Sequence, residues 1–234
     1  MRGTVSETRE VAKGTLLVLF AVDGYPDFRP GSYFWVELPE RGHQDEKGLR
    51  RHISLITSPT EQGIVGLATR LRETAFKRTL LELGIGDGVE VEEPKGSFLL
   101  PDHVDADYVF IAGGIGITVF RSMLRYIRDT RDPYRVTLVY SNRDRESAAF
   151  LDELGELEKQ IEGLRVVLTM TDEEGWEGET RRLDADVLRD LVGDLEGKQF
   201  LVAGPPAMTE AVVESLHRAG VSGEQVLADK FSGY

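Results

Sequence analysis

The sequence predicts a β + α/β protein, with an antiparallel β-barrel domain at residues 1–101 followed by a parallel α/β domain at residues 102–234. The first hundred residues contain short β-branched and apolar runs separated by turn residues, which is typical of a small antiparallel barrel or sandwich. From about Asp107, strand-like runs alternate with helical ones, which favours a parallel sheet covered by helices. The polar, proline-containing stretch 100–103 is the predicted boundary.

The barrel half contains five predicted strands and one helix. Turn signals such as Asp23-Gly24 and Ser58-Pro59 separate the strands. The helix runs from about Ala75 to Leu83, and Thr74 is its expected N-cap. The predicted strands are Thr15–Val22, Tyr33–Leu38, His52–Thr57, Ile64–Thr69 and Gly88–Glu92.

The second half repeats a strand-then-helix rhythm. Helices between consecutive strands make those strands parallel and cover both faces of the sheet. The predicted strands are Tyr108–Ala112, Arg135–Tyr140, Arg165–Met170, Gln199–Ala203 and a last one near Gln225–Ala228. The predicted helices are Val119–Arg128, Ser147–Ile161, Ala185–Val192 and Ala207–Ala219.

Composition excludes several classes of function. The formal net charge of −13 argues against broad affinity for nucleic acid or for an anionic membrane face. The absence of cysteine excludes disulfides, thiolate catalysis and a cysteine-held iron–sulfur cluster in this chain. The apolar run at 16–22 is too short for a transmembrane segment, and no secretory signal precedes it, so a cytoplasmic protein is expected. The histidines show no metal-ligand spacing, so no metal site is predicted.

Two turns that join strands to helices are candidate nucleotide sites. Gly113, Gly114 and Gly116 follow a strand and open a helix, where free amides and the helix dipole favour a pyrophosphate. Their spacing differs from the G-x-G-x-x-G fingerprint, and a tight structural turn is the alternative. The second turn, 202–208, carries Pro205 and Pro206 near the first helical positions, where a missing N–H costs little. Both turns lie at the carboxyl ends of strands, where open α/β sheets bind ligands.

These segments resemble the ferredoxin–NADP reductase superfamily in the order in which they occur. The stretch 113–124 resembles its nicotinamide-nucleotide loop, and 203–208 resembles its second nicotinamide loop. Ala203 stands where many members carry a cysteine, so a thiol contribution is absent here. The resemblance implies the following nicotinamide-nucleotide contacts: Gly113, Gly114, Gly116, Ile117, Thr118, Ser141, Asn142, Arg143, Gly204, Pro205, Pro206 and Met208.

The barrel half resembles the flavin-binding half of the same superfamily. Arg51-His52-Ile53-Ser54 is similar to the motif Arg-x-Tyr-Ser, which implies that Arg51 pairs with the flavin diphosphate. Ser54 would hydrogen-bond the isoalloxazine edge, and Ile53 replaces the usual stacking aromatic residue. His52, on the alternate side of the strand, either borders the cofactor or faces solvent. Without the other motifs, Arg51 and Ser54 also fit an ordinary barrel surface.

Further flavin contacts follow from the resemblance. Thr74 and the next amides, helped by Arg70 or Lys77, would hold the diphosphate, with a capped amphipathic helix as the alternative. The ending 230–234 resembles the aromatic C-terminus of the superfamily, so that Phe231 and Tyr234 cover the flavin, unless the tail is loosely packed. Ser54 and Tyr234 are the implied catalytic residues. The remaining implied flavin contacts are Thr69, Gly96 and Ser97.

The implied function is an FAD-dependent oxidoreductase that passes electrons from NADPH or NADH to ferredoxin or another protein or small acceptor. Hydride transfer between stacked rings needs alignment more than a protein acid or base. One alternative is a flavin-bearing electron-transfer subunit of a larger complex. Another is a reductase of free flavin or ferric chelates. Ser141 and Arg143 would receive the extra phosphate of NADPH, unless Arg143 is an ordinary loop residue.

Overall fold

The computed structural model describes residues 1–25 and 27–231 and contains two sheets. The first is antiparallel, with the strand order β4-β3-β6-β1-β2-β5. A single helix, α1 (Ala75–Leu81), lies between β5 and β6. The strands are β1 (Arg2–Ala12), β2 (Thr15–Val22), β3 (Tyr33–Glu37), β4 (Arg50–Ser54), β5 (Ile64–Arg70) and β6 (Gly88–Val91).

The second sheet is parallel, with the order β11-β10-β7-β8-β9. Its strands are β7 (Asp107–Gly113), β8 (Arg135–Asn142), β9 (Leu164–Met170), β10 (Gln199–Gly204) and β11 (Val226–Lys230). The helices are α2 (Ile117–Thr130), α3 (Leu151–Gln160), α4 (Ala185–Val192) and α5 (Pro206–Arg218). Because β7 and β10 are neighbours, the two predicted nucleotide turns lie side by side.

Apolar periodicity explains how both sheets are covered. In β2, seven of the eight residues are apolar, and Val18 and Phe20 are fully buried in the barrel core. In the second sheet, α2 and α3 pack against one face through residues such as Phe120 and Leu154. Helices α4 and α5 cover the other face through Leu188 and Val212. The predicted fold class, an antiparallel barrel domain followed by a parallel α/β domain, is therefore confirmed.

The largest differences from the predicted elements are in three places. Strand β1 was not predicted, because seven of its residues are charged or polar and most of them are exposed. Helix α3 begins at Leu151 rather than at Ser147, because Phe150 adopts a left-handed conformation with φ 65°. Strand β4 spans residues 50–54 rather than 52–57. The division after residue 101 falls between β6 and β7 and remains a prediction.

Helix α2 joins the two sheets through buried polar contacts. Ser122 Oγ donates to the carbonyl of Thr57 at 2.6 Å, and Arg121 Nη1 donates to the carbonyl of Ile56 at 2.8 Å. Arg121 Nε also donates to Glu153 of α3 at 2.9 Å. These bonds fix the barrel against the carboxyl ends of the parallel strands, where the site lies. No helix among the described residues is long and apolar enough to cross a membrane.

Candidate functional site

A cavity of about 1090 Å³ lies between the two sheets. Strands β3–β5 and helix α1 line it on one side, and the loops after β7, β8 and β10 line it on the other. Its volume is at the upper end of the range for small-molecule pockets, so it has room for more than one cofactor group. Carboxyl ends of parallel strands are the usual ligand edge of an open α/β sheet.

Strand β4 brings four consecutive residues, 51–54, to the cavity. It is an edge strand in the observed order, so residues from both of its faces border the space. Pairing with β3 places His52 opposite Trp35 and Ser54 opposite Tyr33. The His52 ring lies 5.0 Å from the Trp35 ring and 5.5 Å from the Tyr33 ring. His52 is therefore half-buried among aromatic groups rather than facing solvent.

Arg51 is only 4% exposed, yet part of its guanidinium has no partner. Nη1 donates to the carbonyls of Lys47, Gly48 and Arg50 at 2.6–3.0 Å. Nε and Nη2 are buried without a hydrogen-bond partner among the described residues, and Asp45 lies 3.8 Å from Nη2. A buried charged donor without an acceptor costs about 1–3 kcal/mol or more. Two spare donors at a cavity wall fit the diphosphate predicted there.

Lys77 adds a second buried cation to this wall. Its side chain is 5% exposed and forms no ion pair within residues 1–25 and 27–231. Burial lowers the pKa of Lys77 to about 8, and the nearby charges of Arg72 and Arg51 act in the same direction. Arg51, Arg72 and Lys77 thus make this end of the cavity strongly electropositive, which favours a polyanionic group.

The helix α1 amides are less available than the sequence predicted. Thr74 is the N-cap as expected, and its Oγ1 accepts from the amide of Lys77 at 3.3 Å. The Ala75 amide donates to Asp45 Oδ2 at 2.7 Å. Thr74 does not border the cavity. The amides of Ala75 and Lys77, which were expected to face the diphosphate, therefore already donate to side-chain oxygens of the chain.

Two more residues of the predicted flavin set lie away from this cavity. Gly96 borders a separate, shallow depression of about 370 Å³, and Ser97 borders neither space. The cause is a backbone pairing of Lys95 with Tyr33, in which each amide donates to the other's carbonyl at 2.7–2.8 Å. This pairing holds the turn on the outer side of β3.

Arg70 reaches the second domain rather than the cluster at Arg51. Its Nη2 donates to the carbonyl of Ser147 at 3.1 Å. A Cβ placed on Gly114 would lie 3.4 Å from the same Nη2. Arg70 thus lies beside the glycine turn that was predicted to bind the nicotinamide nucleotide. Thr69, its neighbour on β5, also borders the cavity.

The glycine turn combines packing with ligand access. A Cβ on Gly116 would collide with the carbonyl of Ala203, and one on Gly113 would collide with Met208. Gly114 has φ +50° and borders the cavity. Gly116 and Ile117, both predicted contacts, are buried away from the cavity, because the turn packs directly against β10. Thr118 borders the cavity, while its Oγ1 donates to the carbonyl of Ile115 at 3.0 Å.

The remaining nucleotide contacts are largely brought together. Gly204 does not border the cavity, because it is packed against Gly113. Phe231 borders it, and its amide donates to the Gly204 carbonyl at 2.8 Å. Tyr234 lies outside the described residues. The cavity wall also includes Ser141, Asn142, Arg143, Pro205, Pro206 and Met208.

Several cavity residues were not predicted from the sequence. Asp229 of β11 lies opposite Ala203 in the sheet and borders the cavity. Burial raises the pKa of Asp229, and the charge of His52 opposes that shift. For His52, burial lowers the pKa and Asp229 raises it. Strand pairing, which the sequence does not reveal, brings Tyr33, Trp35 and Asp229 to the wall. The connection between β9 and α4 adds Thr171 and Arg182.

No metal centre is evident in the part of the chain that the structure describes. No three histidine or carboxylate side chains there are grouped closely enough to hold a metal ion.

Comparison with known proteins finds sequence similarity to oxidoreductases that use nicotinamide nucleotides. The family described as the oxidoreductase NAD-binding domain matches residues 110–214. The F subunit of the Na(+)-translocating NADH-quinone reductase from Marinomonas sp. (strain MWYL1) is 26% identical over 249 aligned residues. That match covers 88% of this chain but only 61% of the relative.

Solved structures share the whole architecture. The Amycolatopsis cytochrome P450 reductase GcoB superposes with a TM-score of 0.83 at 25% identity, covering 99% of this chain and 70% of that one. A ferredoxin NADP+ reductase from Neisseria gonorrhoeae, with bound FAD and NADP, gives 0.83 at 18% identity and covers 100% and 98%. Because the Neisseria reductase is only 18% identical, its similarity shows the fold alone.

Proposed function

We propose that the chain is a member of the ferredoxin–NADP reductase-like superfamily of FAD- and NAD(P)-binding oxidoreductases and that it passes electrons from a nicotinamide nucleotide through FAD to an acceptor. One observation carries this proposal. A single cavity contains the β4 residues expected to hold a flavin and the β7 and β10 turns expected to hold a nicotinamide nucleotide. Two cofactors held side by side in one cavity meet the alignment requirement of hydride transfer.

The residues on the barrel side fit a flavin dinucleotide. Arg51 and Lys77 would hold its diphosphate, because both are buried cations with unused hydrogen-bonding capacity. Ser54 and Ile53 would border the ring system, and Phe231 and Tyr234 are proposed to cover its other face. Bound FAD would supply the ability to accept a hydride and release electrons singly or in pairs.

The residues on the second side fit the nicotinamide nucleotide. Gly114 leaves backbone exposed at the end of β7, and Pro205 with Pro206 stiffens the neighbouring turn. Arg70 brings a positive charge from the barrel to this turn. These groups would bind the donor and orient it towards the flavin.

An anaerobic titration tests the proposal. Purified, FAD-reconstituted protein is titrated with NADH and, separately, with NADPH. The absorbance of the oxidised flavin is followed, and roughly one equivalent of donor is enough to bleach it. Stoichiometric bleaching by either donor is expected. Bound flavin that neither donor reduces would overturn the reductase function.

The phosphate of NADPH is proposed to bind at Arg143. Arg143 borders the cavity with Ser141 and forms no ion pair among residues 1–25 and 27–231, whereas Arg145 in the same loop pairs with Glu173. Arg143→Ala is expected to raise the KM for NADPH about tenfold, and that for NADH by less than about twofold. Arg145→Ala is the matched control, with little effect on either. Equal effects of Arg143→Ala on both donors would contradict the assignment.

A second candidate function is a flavin-bearing subunit of a larger complex. The observation that favours it is the similarity to a protein named as a subunit of a Na(+)-translocating NADH-quinone reductase, of which this chain spans 61%. Flavin reduction by a donor without turnover on any added acceptor would support this alternative. Turnover assays with ferredoxin, free flavin and ferric chelates separate it from a complete reductase. A cytoplasmic location remains a prediction.

A further inference from the structure

The connection between β3 and β4, residues 40–49, lies against α1 and the turn that follows it; we call it the strap. Side chains of alternate strap residues, at positions 41, 43 and 45, contact that region. Its three contacts are Arg41 Nη2 with Asp87 at 2.8 Å, His43 Nε2 with Glu82 at 2.7 Å, and Asp45 Oδ2 with the amide of Ala75 at 2.7 Å. No residue of the strap is fully buried, although Leu49 at its end packs against the barrel core, so the three contacts at residues 41, 43 and 45 lie outside that core.

The strap covers the guanidinium of Arg51. Two of the carbonyls that accept from Arg51 Nη1, those of Lys47 and Gly48, belong to the strap. Asp45 Oδ1 is the nearest carboxylate oxygen to Nη2, at 3.8 Å, which is too long for a hydrogen bond. Arg51 Nε and Nη2 consequently stay buried without acceptors among the described residues. The cation best suited to a diphosphate is thus partly neutralised and largely hidden.

Asp45 is a negatively charged residue close to the buried cations of this site. The amide of Ala75 is the main cause of its lowered pKa, and Arg51 contributes to the same shift. Lys77, buried and without an ion pair in the described part of the chain, lies beyond Arg51 and faces the same end of the cavity. The positive charge at this site therefore exceeds the single negative charge that Asp45 supplies.

We propose that the strap is a lid over the cofactor diphosphate site and that Asp45 is the internal anion that keeps it closed in the free protein. This inference rests on the proposed binding of FAD. A diphosphate and the Asp45 carboxylate compete for Arg51, and like charges placed together repel each other. The diphosphate offers more charge and more acceptor oxygens than a carboxylate, so it displaces Asp45 and the strap opens.

The test measures FAD binding to the apoprotein by the quenching of FAD fluorescence, in stopped-flow and equilibrium modes. Asp45→Asn keeps the shape of the side chain and removes its charge. His43→Ala removes the side-chain contact with Glu82 without touching the cationic site. Both are expected to bind FAD about five- to tenfold faster and more tightly, because each weakens the closed state. Glu46→Gln, an exposed carboxylate on the same strap, is the control and is expected to match the wild type within about twofold.

Three results would overturn the lid. Equal association rates in all four proteins would do so while leaving the proposed function intact. Faster binding by Asp45→Asn alone would indicate charge repulsion without strap opening, because His43→Ala reports on opening only. Absence of FAD binding by every protein, including the wild type, would remove the proposed function and the lid together. Thermal melting of each apoprotein identifies a variant that fails to fold, and if Asp45→Asn fails, His43→Ala still decides.

Discussion

At the scale of single residues, the barrel side of the cavity is defined by buried cations that are incompletely paired: Asp45 lies 3.8 Å from Arg51, and Lys77 has no ion pair among the described residues. Arg51 and Lys77 are each about 5% exposed or less, and neither has a carboxylate close enough for a good hydrogen bond among the described residues. Burying charge in this way destabilises the free protein, and a bound anion offsets that cost. The site is therefore expected to be more stable with its cofactor than without it.

Lys77 gives this expectation a pH dependence. The lysine has its ordinary pKa of 10.5 in the unfolded chain but about 8 in the fold. Between these values the unfolded chain binds more protons, so the free energy of unfolding rises with pH. We expect the Lys77→Met apoprotein to be more stable than the wild type by about 1–3 kcal/mol at pH 7, with the gap shrinking towards pH 10.5. Urea unfolding of both apoproteins at pH 7, 8.5 and 10 measures it.

The same variant is expected to bind FAD more weakly at pH 7. A variant that is more stable but binds FAD more weakly shows that the residue contributes to binding at the expense of stability. A Lys77→Met protein that is less stable at pH 7, or whose stability difference does not change with pH, would contradict this account of Lys77.

Arg70 and Arg72 are close in sequence but face different ends of the cavity. Arg70 lies at the glycine turn, and Arg72 lies near Lys77. Arg70→Ala is expected to raise the KM of the nicotinamide donor about tenfold and to leave the Kd of FAD within about twofold of wild type. Arg72→Ala is expected to show the reverse pattern.

Steady-state kinetics and FAD titration of the two variants together test this division. If Arg70→Ala weakened FAD as strongly as Arg72→Ala does, Arg70 would belong to the flavin site, as the sequence alone suggested.

At the scale of elements, the turn after β7 shows which part of a motif serves packing. Gly116 has no room for a Cβ, because the carbonyl of Ala203 occupies that position. Gly155, in the middle of α3, is different, because no heavy atom lies within 4 Å of the place that a Cβ would take. The two glycines make a matched pair for the same substitution.

Gly116→Ala is expected to destabilise the protein by about 1–3 kcal/mol, because β10 must move to accommodate the methyl group. Gly155→Ala is expected to stabilise it by about 0.5–1 kcal/mol, through helix propensity alone. Thermal unfolding of both variants measures the difference. A neutral Gly116→Ala would mean that the turn and β10 are not packed as described.

The same elements show how far sequence reasoning reaches. Hydrophobic periodicity located β2 and the strand–helix alternation of the second domain, because burial dictates those patterns. It missed β1, where seven polar or charged residues leave few apolar positions, and it extended α3 into residues 147–150, where a left-handed Phe150 ends the turn. The position of Arg70 and the removal of Gly96 from the site depend on tertiary pairing, which no local pattern encodes.

At the scale of the whole molecule, function requires that the two sheets keep a fixed relation, because each supplies one wall of the cavity. Arg121 carries much of this fixation. It is 4% exposed, donates to Ile56 of the barrel domain and to Glu153 of α3, and lies 5.1 Å from the Phe150 ring. Burial lowers the pKa of Arg121, and Glu153 opposes that shift.

Arg121→Gln is expected to lower stability by about 3 kcal/mol, roughly 6–12 °C in Tm for a chain of this size, because the Ile56 carbonyl loses its donor and Glu153 keeps only Arg125 of its two arginine partners. Arg218→Ala is the control. It breaks an exposed pair with Glu214 on α5 and should change the free energy of unfolding by less than about 0.5 kcal/mol.

The informative readout is the rate of flavin reduction at a temperature where both variants are folded. A misalignment of about 1 Å between reacting groups can slow a reaction on the order of a hundredfold. If α2 sets the angle between the sheets, Arg121→Gln slows reduction while the affinity for FAD, which depends on the barrel wall, stays close to wild type. Loss of stability with an unchanged reduction rate would instead assign the alignment to the other contacts between the sheets, such as the buried bond from Ser122 to Thr57.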